Sequence, residues 1–459
     1  MGIKSLLKNI PIIGGLLFIT SCQVEESYVP MPETISHLTL SKRTPEDAIK
    51  IGKEAYCAHF GPISSRSADD SQISVHAVTM SIAHSRSIEK NDTCLFIVNF
   101  GENKGYAIVA ADSRVSPIFG VTDKGHYDPT SDSRNPGVEY YIGRTIDYLN
   151  SEDVPKSPLG DIVISQPKVE VKEWEDSSFL INIPQRVKHA WSPGIINEPF
   201  SDSTHPTLST LQNNPTGYYF SKNYCGEAVV ALAHTMLYFY YPSRIPATRH
   251  PKDYSAMETE AFEPSWGQIK LHGRYSLHSY SVYQCTDLEI KRCHEQVAIL
   301  CRALGNLTSC ESYGTQSKPI ITTSILDIYD AVKKLGFHIQ PWESFSDNVI
   351  LSNSPAVLLV NGVLPEDIAE FSHYWLIDGE KKFIARHHFA TREAGQPWKE
   401  TITATYSKDL FHINWSQKGD GDGWYDRGPF SPRTKPSSIY LDPTYTEISL
   451  PEHLLNTSR

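Results

Sequence analysis

Apolar positions change period several times along the chain, and each change marks an element. From Arg43 to Ala58 they recur at helical spacing, through Ala48, Ile49, Ala55 and Tyr56. Thr44, followed three residues later by Asp47, predicts a capped helix start. Ser64 to Ser71 is polar and predicts a loop. Cys94 to Phe100 and Tyr106 to Asp112 are apolar runs parted by Gly101-Glu102-Asn103-Lys104-Gly105, the pattern of a hairpin. Ser151 to Val171 is rich in Pro and charge and predicts a linker, where a processing loop could lie.

The second half opens with the strongest helix signal. It runs from Ala228 to about Tyr240 and stops at Tyr241-Pro242. Ala228, Ala231 and Ala233 make it a helix that packs closely. A shorter helix is predicted over Ile325 to Leu335. Ser354 to Val360 reads as a buried strand, Ser372 to Gly379 begins another with His373 near its start, and Phe411 to Trp415 is a third.

Composition narrows the function classes. The 459 residues are 40% hydrophobic and 21% charged, which suits a globular protein of two to four domains. The net charge of -11, with no long basic run, argues against nucleic acid as a partner. The eight cysteines form no CxxC pair and no zinc-spaced cluster, so neither metal nor cofactor is expected.

The N-terminus predicts export. Lys4 and Lys8 precede an apolar run from Ile10 to Ile19 that is short for a membrane span. It ends Ile19-Thr20-Ser21-Cys22, which resembles a bacterial lipobox, with residues 1–22 as signal peptide and Cys22 as the lipidated residue. The acidic pair Glu25-Glu26 resembles a surface-export signal, so the expected location is the outer membrane, held by lipid alone.

The order of a Cys near a helix start, then a strand His, then a strand Asn-Trp, is that of papain-like peptidases. The motifs are similar to those of the streptopain family. Gly226 to Pro242 reads GEAVVALAHTMLYFYYP where the family has GCvAtAmAQimkYhkYP. Ser372 to Gly379 and Phe411 to Tyr425 resemble its GHAfviDG and fHvNWGWGG segments. Gly105 to Val121 resembles the family's pro-domain hairpin. The resemblance implies an α+β protein: a small pro-domain with an antiparallel sheet at 30–170, then a papain-like domain at 180–459. The excess length from about Glu380 to Asp409 suggests an added hairpin. It also implies a cysteine peptidase made as a zymogen, with Cys225 and His373 as the dyad and Asn414 orienting the imidazole.

Three positions depart from the pattern. Counting back from Tyr238 to Pro242 without a gap puts Glu227, not a Cys, at the nucleophile. Cys225 stands two residues earlier, about 200 degrees around the helix. Pro193 falls where the family has an oxyanion-hole Gln, and Gln417 falls where it has a second Trp. Glu227 is then expected to pair with His373 and plug the site. Two functions remain open: an impaired peptidase, or a non-catalytic surface lipoprotein that binds or inhibits a peptide or protein ligand.

Overall fold

The computed structural model describes residues 42–61, 72–81, 91–113, 115–131, 135–151, 154, 169–187, 225–249, 251, 258–275, 287–315, 318–342, 357–363, 372–393, 395–417, 419–430 and 444–455. The signal segment, Cys22 and Pro193 lie outside these residues.

In chain order the first part holds α1 (Pro45–Phe60), β1 (Ser74–Ser81), β2 (Asn91–Asn99), β3 (Tyr106–Ala110), β4 (Ile118–Thr122) and α2 (Pro136–Asn150). A long strand, β5 (Val169–Ile183), leads into the second part. There follow α3 (Glu227–Phe239), α4 (Trp266–Tyr275), α5 (Asp287–Leu307), β6 (Glu311–Thr315), β7 (Lys318–Thr322), α6 (Ile325–Lys334) and β8 (His338–Trp342). The chain continues through β9 (Val357–Val363), β10 (Ser372–Glu393), β11 (Lys399–Asn414), β12 (Gly423–Asp426), β13 (Thr444–Ser449) and α7 (Glu452–Leu455). The architecture is α+β, and among the described residues every strand pairing is antiparallel.

Local chemistry sets several of these elements. The Thr44 backbone N–H donates to Asp47 Oδ2 at 2.9 Å, and the Asp47 N–H donates to Thr44 Oγ1 at 3.2 Å. This reciprocal pair satisfies donors that the first helical turn would leave open. Asn135 caps α2 by accepting from the N–H groups of Gly137 and Val138.

One sheet runs through the molecule in the order β1-β2-β3-β4-β12-β11-β10-β9-β13-β8, with β5 joined to β10. Strand β10 changes partner along its length. Residues 372–377 pair with β9, and residues 380–393 pair with β5. The switch occurs at Asp378-Gly379, where the β10–β11 register also shifts. The predicted extra hairpin is the long β10–β11 ribbon.

Both faces of the sheet centre are buried, and β10 shows why. Tyr374 and Leu376 point into a core formed with α3, α5 and α6. Trp375 and Ile377 point the other way, into a core with α2, β2 and β3. This is the period-2 alternation of a strand with two covered faces. A third core joins α1 to Phe96, Val98, Phe383, Leu410 and Trp424.

At the edge of that third core, His59 in the last turn of α1 meets Lys381 of β10. Lys381 Nζ lies 2.9 Å from His59 Nδ1 and 3.9 Å from the centre of the Trp424 ring. Burial, then the charges of Lys381 and Lys408, holds the His59 imidazole down at about 3. A lowered folded value means that the unfolded chain takes up the proton first. Stability from this site is therefore full above about pH 6.5 and drains as pH falls toward 3. Replacing His59 by Gln is expected to flatten that acid limb. Urea midpoints measured from pH 7 to pH 4 check it; parallel curves for parent and variant would count against the reading.

Candidate functional site

The site forms where α3 meets the start of β10. Helix α3 is buried on every side from Ala228 through Leu237, the polar His234 and Thr235 included, so it can only be a central helix. It starts abruptly: Gly226 at the N-cap has φ 81 and offers no side-chain cap. Only glycine takes that conformation at little cost, and it lets the chain enter the helix directly before Glu227. Glu227 is thus the first helical residue, where open N–H groups and the helix dipole favour a carboxylate.

His373 arrives from β10, paired across to Gly362 of β9. Its Nδ1 lies 2.8 Å from Glu227 Oε2, with the two side chains 17% and 14% exposed. The other carboxylate oxygen, Oε1, accepts from Gln417 Nε2 at 2.9 Å. Gln417 follows a tight turn after β11, in which Ser416 has φ 60 and its N–H donates to Asn414 Oδ1 at 2.9 Å. The pairing expected from helix register is therefore present, and a Gln side chain completes it.

Cys225 goes elsewhere. Its thiol is hydrogen-bonded to Cys301, and it packs against the core that also contains buried Cys310. The Cys301 contact first, then burial, pushes the Cys225 thiol well above its usual range, and burial lifts Cys310 to about 12. A nucleophilic cysteine needs the opposite environment, one that favours the thiolate. Of the residues singled out by the motifs, the structure joins His373, Glu227 and Gln417. It sets Cys225 among thiols and holds the Asn414 carbonyl on the Ser416 N–H.

Two features escaped the sequence reading. The sequence marks Gln417 only by the Trp it replaces, whereas its amide binds Glu227. A second carboxylate–imidazole pair lies deeper. His412 Nδ1 is 2.6 Å from Asp378 Oδ1, and Asp378 is fully buried. Asp378 Oδ2 accepts from the N–H groups of Arg186 at 3.1 Å and Val187 at 2.5 Å. The visible signals are an Asp directly after the apolar run 374–377 and a His between Phe411 and Ile413. Close by, burial raises Asp422 to about 7, while His412 and the Trp415 N–H oppose the rise.

As chemistry, the Glu227 carboxylate bridges His373 and Gln417, one oxygen to each. A carboxylate at position 227 carries no sulfur with which to form a thioester.

No protein-family model matches the chain. Over 163 residues it is 24% identical to a thiol protease/hemagglutinin, PrtT, from Porphyromonas gingivalis. That match covers 35% of this chain and 17% of the relative, so the chain spans a minor part of that protein. Among solved structures it is similar to a prointerpain A fragment from Prevotella intermedia, with a TM-score of 0.47 and 14% identity. The likeness covers 82% of this chain and 98% of the fragment.

Proposed function

We propose that this chain is an exported relative of cysteine peptidases that does not hydrolyse peptide bonds by thiol chemistry. One observation carries the reading: the residue facing the imidazole is Glu227, with its carboxylate 2.8 Å from His373 Nδ1. The partial likeness to a thiol protease supports the ancestry, and the Glu227–Gln417 contact supports the loss. In this reading the protein keeps a peptidase-like body for binding a peptide or protein ligand, or for inhibiting one. Lipid on Cys22 tethers it to the outer membrane.

The experiment is a hydrolysis assay on the intact and the proteolytically nicked protein. Reduced protein is mixed with unfolded casein and with fluorogenic peptides from pH 5 to pH 8. Rates at the level of a blank are expected throughout. Hydrolysis that disappears in both Cys225→Ser and His373→Ala would restore the peptidase.

A further inference from the structure

The region that resembles a removable pro-domain is built into the sheet. Strand β4 hydrogen-bonds directly to β12, placing Thr122 opposite Gly423, Val121 opposite Trp424 and Gly120 opposite Tyr425. Strand β5, which connects the two parts, is itself a sheet strand. It pairs with β10 from Ile183 opposite Glu380 to Val169 opposite Glu393. Over residues 169–183 the junction thus has its backbone in a ladder, not in an exposed loop.

Side chains repeat the message. Tyr141 Oη lies 2.7 Å from Phe119 O and 3.0 Å from Asp426 O, so its single proton is shared between a carbonyl of each part. Arg144 Nε donates to Pro429 O at 3.2 Å, and Asn135 Nδ2 donates to Asp420 O at 2.6 Å. Helix α2 lies so close to β11 that a Cβ on Gly137 would come within 2.2 Å of the Trp415 ring. Tyr140 of α2 sits 5.3 Å from Trp375, two residues beyond His373. These rings share one core: Tyr140, Trp375, Trp415 and Tyr425 are each at most 2% exposed.

We infer that residues 42–151 are a permanent half of the fold, and that cleaving the junction does not release them. Separation would break the β4–β12 ladder and bare a row of large apolar side chains, including Trp375, Phe411, Trp415 and Tyr425, on the remaining part. A protease needs an extended, unpaired stretch of several residues, and β5 does not offer one while the sheet holds. The working form of the protein is therefore the uncleaved or nicked whole, and no step of maturation opens it. This inference stands apart from the dead-site reading, because a peptidase could also be active with its N-terminal half in place.

Native-state hydrogen exchange on the intact chain tests it. Amides of β3 and β4 are expected to share one opening, with the same denaturant dependence, as amides of β10, β11 and β12. An earlier, separate opening of residues 42–151 would overturn the inference. A second readout uses a site for a sequence-specific protease inserted between residues 155 and 168. After cutting, the two fragments are expected to co-elute from a sizing column without denaturant. An N-terminal fragment that elutes alone would refute the proposal, whatever the hydrolysis assay shows.

Discussion

Replacing Glu227 by Cys, in a Cys225→Ser background, is expected to create a thiol alkylated at least about 100-fold faster at pH 7 than Cys225 of the parent. The argument is positional. Residue 227 opens a buried helix whose N–H groups face it, and His373 Nδ1 lies beside it. Such surroundings draw thiol pKa values down to roughly 3.5–7.5. Cys225 has the reverse, a thiol neighbour and burial that both disfavour charge. Iodoacetamide rates measured against pH read the difference directly. The rate for the new thiol should fall when His373 is also replaced by Ala. Peptide hydrolysis is expected to lag behind, since the motif resemblance puts Pro193 where the family has its oxyanion-hole Gln, and one missing oxyanion donor costs about 100- to 1000-fold. A new thiol no faster than Cys225, and indifferent to His373, would mean that residue 227 does not face the imidazole.

The largest expected loss of stability comes from Asp378. Its carboxylate is fully buried, faces His412 at 2.6 Å and receives the N–H groups of Arg186 and Val187. Those contacts tie the segment after β5 to the point where β10 exchanges β9 for β5. Asp378→Ala leaves His412 and two N–H groups without their acceptor in a dry interior. Breaking a buried pair from one side typically costs about 3–5 kcal/mol. That is a large share of the about 5–15 kcal/mol by which domains are stable. The variant is expected to unfold at much lower urea, or to fail to accumulate as folded protein. Asp378→Asn, which keeps acceptors for the two N–H groups, should fall between parent and Ala. A loss below about 1 kcal/mol for Asp378→Ala would show that the pair carries little of the fold.

Much of this was legible because it is local. The Thr44–Asp47 cap, the hairpin turn through Gly101 and Gly105, and the stop at Tyr241-Pro242 are written in adjacent residues. The register of α3 followed from that stop by counting, and with it the meeting of Glu227 and His373. The excess residues between Glu380 and Asp409 announced a hairpin by length alone. What stayed hidden depends on distant pairing. Nothing in the apolar run Ile118–Thr122 says that its neighbour is Gly423–Asp426. Pro and charge before Val171 suggested a linker, yet from Val169 the chain lies in the sheet against β10, because the hairpin supplies an edge. Gln417 could be seen as a lost Trp but not as a donor to Glu227, since that contact needs the turn at Ser416.

The decisive measurement is reaction of the reduced, folded parent protein with a thiol-directed epoxide inhibitor, followed by peptide mapping. The account predicts no adduct on Cys225 in the folded chain, with modification appearing only after unfolding. A stoichiometric adduct on Cys225 that forms in the native protein and vanishes in His373→Ala would contradict it.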